Sequence, residues 1–140
     1  MHIRIYTDGG ARNNPGPSGI GVLICNSHDQ ELIRHKDYIG EGTNNIAEYC
    51  ALIAGLELAT AYTPTILECF LDSELVVRQV MGAYRVKDER IKRLYNEVKK
   101  QEKKFPRISY SHLPRTHAKM KIADMLVNEA LDNEADKKRL

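Results

Sequence analysis

A chain of 140 residues, 42% hydrophobic and 29% charged, is long enough for one packed core and too apolar to be disordered by composition. No apolar run approaches the roughly 18 residues of a membrane span, and Met1-His2-Ile3-Arg4 leads into an alternating segment instead of an apolar export signal. A net charge of +2 says little by itself, but residues 85–121 hold 13 Lys and Arg against 4 Asp and Glu, while the remainder is acidic. That asymmetry suits a polyanion partner beside a cation site, and equally a solvated charged helix.

Residues 2–7 alternate and are rich in β-formers, and they end at Asp8-Gly9-Gly10. The cluster Asn13-Asn14-Pro15-Gly16-Pro17-Ser18-Gly19 reads as a turn. Residues 20–26 and 31–39 form two more strands, joined by a short link that makes them a hairpin. A helix follows over residues 45–61, with Asn45 and Glu48 spaced as an N-cap and its reciprocal carboxylate. Thr63-Pro64 stops it. Residues 65–71 are a compact apolar strand ending at Asp72, and a helix over 73–81 closes at Gly82. Residues 88–104 carry Ile91, Leu94, Tyr95 and Val98 at helical spacing among charges, an amphipathic surface helix. Residues 107–112 alternate as a fifth strand. The last helix covers 119–131 or runs beyond, with a stripe of Ile122, Ala123, Leu126, Val127, Ala130 and Leu131; the charged tail 132–140 is open to fraying.

The order β-β-β-α-β-α-α-β-α predicts the α/β class: a mixed five-stranded sheet, three antiparallel strands plus two parallel ones, flanked by helices in a single domain over 1–140. Cys25, Cys50 and Cys69 lie in apolar segments at unrelated spacings. They read as buried reduced thiols of a cytoplasmic protein.

Four acids stand out. Ligands of open α/β sheets bind beyond the carboxyl ends of strands, which is where Asp8 and Asp72 fall; each is equally at home as a turn or helix-cap residue. Glu48 interrupts an otherwise apolar helix face, where a lone carboxylate costs several kcal/mol to bury, unless it serves as a capping residue. Asp124 lies at the margin of the last helix's apolar stripe, as an ordinary boundary Asp also would. If the four converge, their mutual repulsion calls for a hard cation such as Mg²⁺, and two such ions suit in-line phosphoryl displacement.

The motifs around these acids resemble type 1 ribonuclease H. Thr7-Asp8-Gly9-Gly10-Ala11-Arg12-Asn13-Asn14-Pro15-Gly16-Pro17 resembles its first motif, and Thr43-Asn44-Asn45-Ile46-Ala47-Glu48 its second. Leu71-Asp72-Ser73 resembles the third, and Leu113-Pro114-Arg115 with Ile122-Ala123-Asp124-Met125-Leu126 the fourth. The resemblance, which spans residues 3–131, implies a ribonuclease H-like fold and endonucleolytic cleavage of the RNA strand of RNA–DNA hybrids, leaving 5′-phosphate and 3′-hydroxyl ends. It implies that Asp8, Glu48, Asp72 and Asp124 hold two Mg²⁺ ions, with Mn²⁺ as a substitute. It also implies that Asn14, Asn44 and Asn45 line the hybrid's minor groove, that Thr43 seats a phosphate of the DNA strand, and that His117 matches the loop histidine assisting product release. Arg115 joins the substrate-binding set, and the protein is expected to be a monomer.

Three features depart from the family's pattern. Glu74 follows Ser73 where Gln is common, Met120 replaces an Asn before Asp124 in a lengthened loop, and the absence of Trp marks the compact form without a basic protrusion. Hybrid affinity then falls to Arg85, Lys87, Arg115, Lys119 and Lys121, with Lys99, Lys100, Lys103 and Lys104 as a weaker set. A non-cleaving hybrid-binding module and a DNA-directed nuclease of the same fold are the competing readings.

Overall fold

The computed structural model describes residues 1–139. Strands β1 (His2–Ala11), β2 (Gly16–Asn26) and β3 (Glu31–Gly42) precede helix α1 (Asn44–Ala59) and a 3₁₀ turn at Thr60–Tyr62. Strand β4 (Ile66–Leu71), helices α2 (Glu74–Val80) and α3 (Glu89–Glu102), strand β5 (Arg107–His112) and helix α4 (Ala118–Arg139) follow. The five strands form one sheet in the order β3-β2-β1-β4-β5. The pairs β1–β2 and β2–β3 are antiparallel, whereas β1–β4 and β4–β5 are parallel. Element order and sheet type match the sequence reading.

The first three strands run further than their apolar pattern suggests. Asp8, Gly10 and Ala11 pair with Gly21, Gly19 and Ser18, so the glycine-rich stretch joins the ladder and the turn shrinks to 12–15. Helices press directly on these glycines. A Cβ at Gly9 would collide with the Ala47 carbonyl of α1, and one at Gly21 with the Ala123 carbonyl of α4. The missing side chains thus set how closely each helix approaches the sheet.

Thr43, not Asn45, caps α1: its hydroxyl accepts from the Ile46 amide at 3.2 Å. The helix therefore begins at Asn44, Glu48 falls in its second turn, and the expected capping pair does not form. Ser73 caps α2 by accepting from the Val76 amide at 3.2 Å, and Asp88 caps α3. Helix α4 continues past its apolar stripe and through the charged segment to Arg139. The ion pair Arg12–Asp132 at 2.7 Å and the Lys138 ammonium over the Tyr38 ring hold that extension to the β1–β2 turn and to β3, and Lys36–Glu129, also 2.7 Å, ties the helix turn before it to β3. Periodicity of apolar residues alone carries no trace of such polar docking.

One sheet face packs Ile3, Ile5, Val22, Ile24, Leu67, Cys69 and Leu71 against Tyr49, Leu52 and Leu56 of α1 and Val98 of α3, all buried. The opposite face gathers Tyr6, Leu23 and Cys25 with Met120 of α4. Truncating a fully buried Leu such as Leu52 costs about 2–5 kcal/mol in a core of this kind. All three cysteines are free thiols, and burial raises the pKa of each. Among the described residues, no helix is long and apolar enough to cross a membrane.

Candidate active site

Parallel pairing of β1 with β4 ends with Thr7 opposite Leu71. Asp8 and Asp72 are the next residue of each strand, so two acids emerge side by side at one edge of the sheet. Glu48 reaches them from α1, which can lie close over β1 because Gly9 has no side chain. Asp8, Glu48 and Asp72 each offer a carboxylate oxygen, and these atoms lie within 4.8 Å of one another. Asp124 projects from α4 into the same cleft of about 360 Å³. It stands outside the tight group of three and is linked to it through Arg115, which lies 2.8 Å from Asp72 and 3.8 Å from Asp124.

The cap assignments remove two ordinary explanations for these acids: Ser73 does the work that Asp72 could have done, and Thr43 the work ascribed to Asn45 with Glu48. Glu48 is 6% exposed and Asp8 2%. Burial first, then the neighbouring Asp72 and Asp124 charges, pushes Asp8 up to about 7 against the opposing pull of its bond to Glu48 and of Arg115. Burial and the Asp8 charge likewise hold Glu48 well above the usual carboxylate range. Both shifts run against holding the two carboxylates charged side by side in the absence of a cation. Glu48 Oε2 is buried with no hydrogen-bond partner, a cost of about 1–3 kcal/mol for an unsatisfied group. An all-oxygen donor set with one buried, unpartnered oxygen fits a hard divalent cation, which would satisfy that atom and relieve the repulsion.

The residues expected to meet substrate divide in two. Asn44 and Asn45 line the cleft beside the acids. The Asn44 side chain accepts from the Ala11 amide at 2.8 Å, and Asn14 accepts from the Asn44 amide at 2.9 Å. These bonds clamp the β1–β2 turn to the start of α1 while leaving both NH₂ groups available. Asn14 is exposed and lies outside the cleft lining, and Thr43 is engaged as the α1 cap. His117 is not brought among the acids. It is exposed, its Nδ1 accepts from the Lys119 amide at 3.1 Å at the start of α4, and its ring stacks on Tyr6 at 6.1 Å.

Glu74 turns back along its own helix to Arg78 at 2.8 Å, and that guanidinium covers the Tyr84 ring. Its charge is thereby balanced locally. Lys99 leaves the basic set: it bonds the Val80 carbonyl and Glu102 and lies over Tyr95. Lys119 donates to the Asp29 carbonyl at 3.2 Å. The contact of Arg115 with the acids escaped the sequence reading, as did Asn128, which lines the cleft one helical turn beyond Asp124. The i, i+4 spacing of Asp124 and Asn128 was the available signal for the latter.

Strand order, mixed pairing and a buried acidic cluster at the carboxyl ends of adjacent parallel strands define a ribonuclease H-like fold. A family model described as "Reverse transcriptase-like" matches residues 6–130. "Bifunctional protein Rv2228c" of Mycobacterium tuberculosis is 41% identical over 133 residues, which are 94% of this chain and 36% of that protein. "Ribonuclease HI" of Halobacterium salinarum is 37% identical over 131 residues, 94% of this chain and 65% of the relative. The chain thus spans about a third of the mycobacterial relative's length. The crystal structure of RNase H1 from Halobacterium salinarum superposes with a TM-score of 0.90 at 36% identity, covering 95% of this chain and 99% of that one. The structure of LC11-RNase H1 in complex with RNA/DNA hybrid gives 0.89 at 42% identity, with the same two coverages. The chain belongs to the type 1 ribonuclease H family, in its compact form.

Proposed function

We infer that this protein is an endoribonuclease that hydrolyses the RNA strand of RNA–DNA hybrids, leaving 5′-phosphate and 3′-hydroxyl ends. The observation that carries the reading is the meeting of three carboxylates within 4.8 Å, with Glu48 Oε2 buried and unpartnered, in a chain 42% identical to a protein solved with an RNA/DNA hybrid. Asp8, Glu48, Asp72 and Asp124 would hold two Mg²⁺ ions, for which Mn²⁺ can substitute. When bound, such ions lower the pKa of a water and stabilise the departing 3′-oxygen.

The chain's own residues supply the rest. Buried Asp8 and Glu48 give a rigid, dehydrated base to the site, and Asp72 and Asp124 bound its open side. The free NH₂ groups of Asn14, Asn44 and Asn45 are donors suited to minor-groove acceptors and to the 2′-hydroxyl that separates RNA from DNA. Thr43, fixed at the helix start, is suited to a phosphate of the DNA strand. Exposed Arg85, Lys87 and Lys121 supply phosphate contacts. His117 assists product release from the loop before α4. The unit acts as a monomeric single domain in a reducing cytoplasm, consistent with three free cysteines.

The test incubates the protein with labelled RNA–DNA hybrid, double-stranded RNA and double-stranded DNA, each with Mg²⁺ and with chelator. Cleavage confined to the RNA of the hybrid, and abolished by chelator, is expected. Cutting of duplex DNA, binding without cutting, or cleavage that survives chelation overturns the reading.

A further inference from the structure

Arg115 stands among the acids as their only cationic neighbour along the cleft wall apart from Arg12, which is paired with Asp132 among the described residues. Its guanidinium Nη2 donates to Asp72 Oδ2 at 2.8 Å, and its Nε faces Asp124 Oδ1 at 3.8 Å. Asp72 is one of the three carboxylates that meet within 4.8 Å. One positive charge thus bridges the inner cluster and the outlying acid from α4, and it engages a carboxylate that a metal ion would need.

Three features make this bridge exchangeable. The Arg115 side chain is 61% exposed, so its ion pairs are weak and screened. It rises from the short loop between β5 and α4, tied by a single turn in which the His117 amide donates to the Pro114 carbonyl at 2.9 Å. Its partners gain more from a divalent ion, which brings twice the charge and can satisfy Glu48 Oε2, an atom the guanidinium leaves unpartnered.

We propose that Arg115 is a resident counter-cation of the acidic cluster, a placeholder that divalent metal displaces from Asp72 and Asp124 on binding. The residue lowers the repulsion among four acids in the metal-free protein and thereby sets the metal concentration at which the site fills. This inference rests on the reading of the cluster as a metal site.

Calorimetric titration of Mg²⁺ into the substrate-free protein, for wild type, Arg115→Ala and Arg115→Lys, tests it without any activity readout. Removing a positive charge beside a divalent site is expected to lower the half-saturating Mg²⁺ concentration about tenfold in Arg115→Ala. Arg115→Lys, which keeps the charge, stays near wild type. In chelator, Arg115→Ala melts below wild type, and added Mg²⁺ raises its Tm by a larger interval. Unchanged or weaker Mg²⁺ binding by Arg115→Ala overturns the proposal while leaving the metal site intact. Failure of the wild type itself to bind Mg²⁺ overturns the metal-site reading instead.

Discussion

Asp8 and Asp72 each stand one residue past the final register pair, Thr7 with Leu71, of two adjacent parallel strands. The two carboxylates emerge at the same height on the same sheet edge, although 64 residues separate them. No flexible loop is needed to bring them together; the hydrogen-bond ladder does it. Glu48 then joins from α1 to give a cluster that is costly to hold charged in the absence of a cation.

Replacing Asp8 should separate chemistry from folding. Asp8→Asn removes a carboxylate that the proposed mechanism requires, and a loss of activity on the order of a thousandfold is expected. The same change removes a buried charge, so the Tm in chelator should rise. The pH dependence has a definite sign. Asp8 titrates at about 7 in the fold against an ordinary 3.8, so between those values the folded state binds more protons than the unfolded one. Its contribution is intact below about pH 4 and is lost as pH climbs through 7. The Tm advantage of Asp8→Asn in chelator should therefore grow from pH 4 to pH 7. A constant or shrinking advantage contradicts the raised pKa of buried Asp8.

Gly9 governs how α1 lies on the sheet. A Cβ there meets the Ala47 carbonyl, backbone that cannot step aside. Gly9→Ala should cost about 1–3 kcal/mol in chemical denaturation and weaken Mg²⁺ binding, because Glu48 follows Ala47 in the helix. A substitution tolerated on both measures would show that the helix has slack.

Glu68 anchors a part-buried polar network on the sheet face that carries Tyr6, bonded to His2 and to Arg4, the latter at 3.2 Å. Burial pushes its pKa up, but the hydrogen bonds from His2 and Arg4 prevail and leave it below the ordinary 4.5. Its contribution is thus present above pH 4.5 and is lost as pH falls through the lower folded value. Glu68→Gln should cost about 1 kcal/mol at pH 7, with the gap to wild type closing toward pH 3. A gap that widens on acidification would reverse the assignment.

Arg85 and Lys99 distinguish free from committed basic charge. Lys99 is occupied by Val80, Glu102 and Tyr95, whereas Arg85 is exposed on the loop between α2 and α3. In hybrid-binding titrations over a range of salt, Arg85→Ala should reduce the slope of log K against log salt by about 1. Lys99→Ala should leave that slope unchanged while lowering the Tm. Equal slope changes would indicate that both side chains reach the substrate.

Element order, sheet class and the identities of the four acids were legible in the sequence, because apolar periodicity and turn residues are local signals and the acids sit inside dense motifs. Strand ends were not: Gly9, Gly10 and Gly19 read as turn residues, yet they pair because helices cover them. Residue type does not single out the cap of α1, since Thr43 and Asn45 are both good caps and only the backbone path selects Thr43. The end of α4 is tied by the Arg12–Asp132 ion pair to the β1–β2 turn, 120 residues earlier in the chain.

Residue type and short-range spacing are enough to name the candidate oxygen ligands and the segments that become strands or helices. How those acids relate depends on the packed fold: three meet within 4.8 Å, while Asp124 stands apart behind Arg115. The fold also left His117 against Tyr6 at the start of α4, outside the lining of the acidic cleft. The reason is that distance between residues far apart in the chain is set by strand register and by how closely a helix can approach bare glycine. Neither quantity is encoded in any one segment.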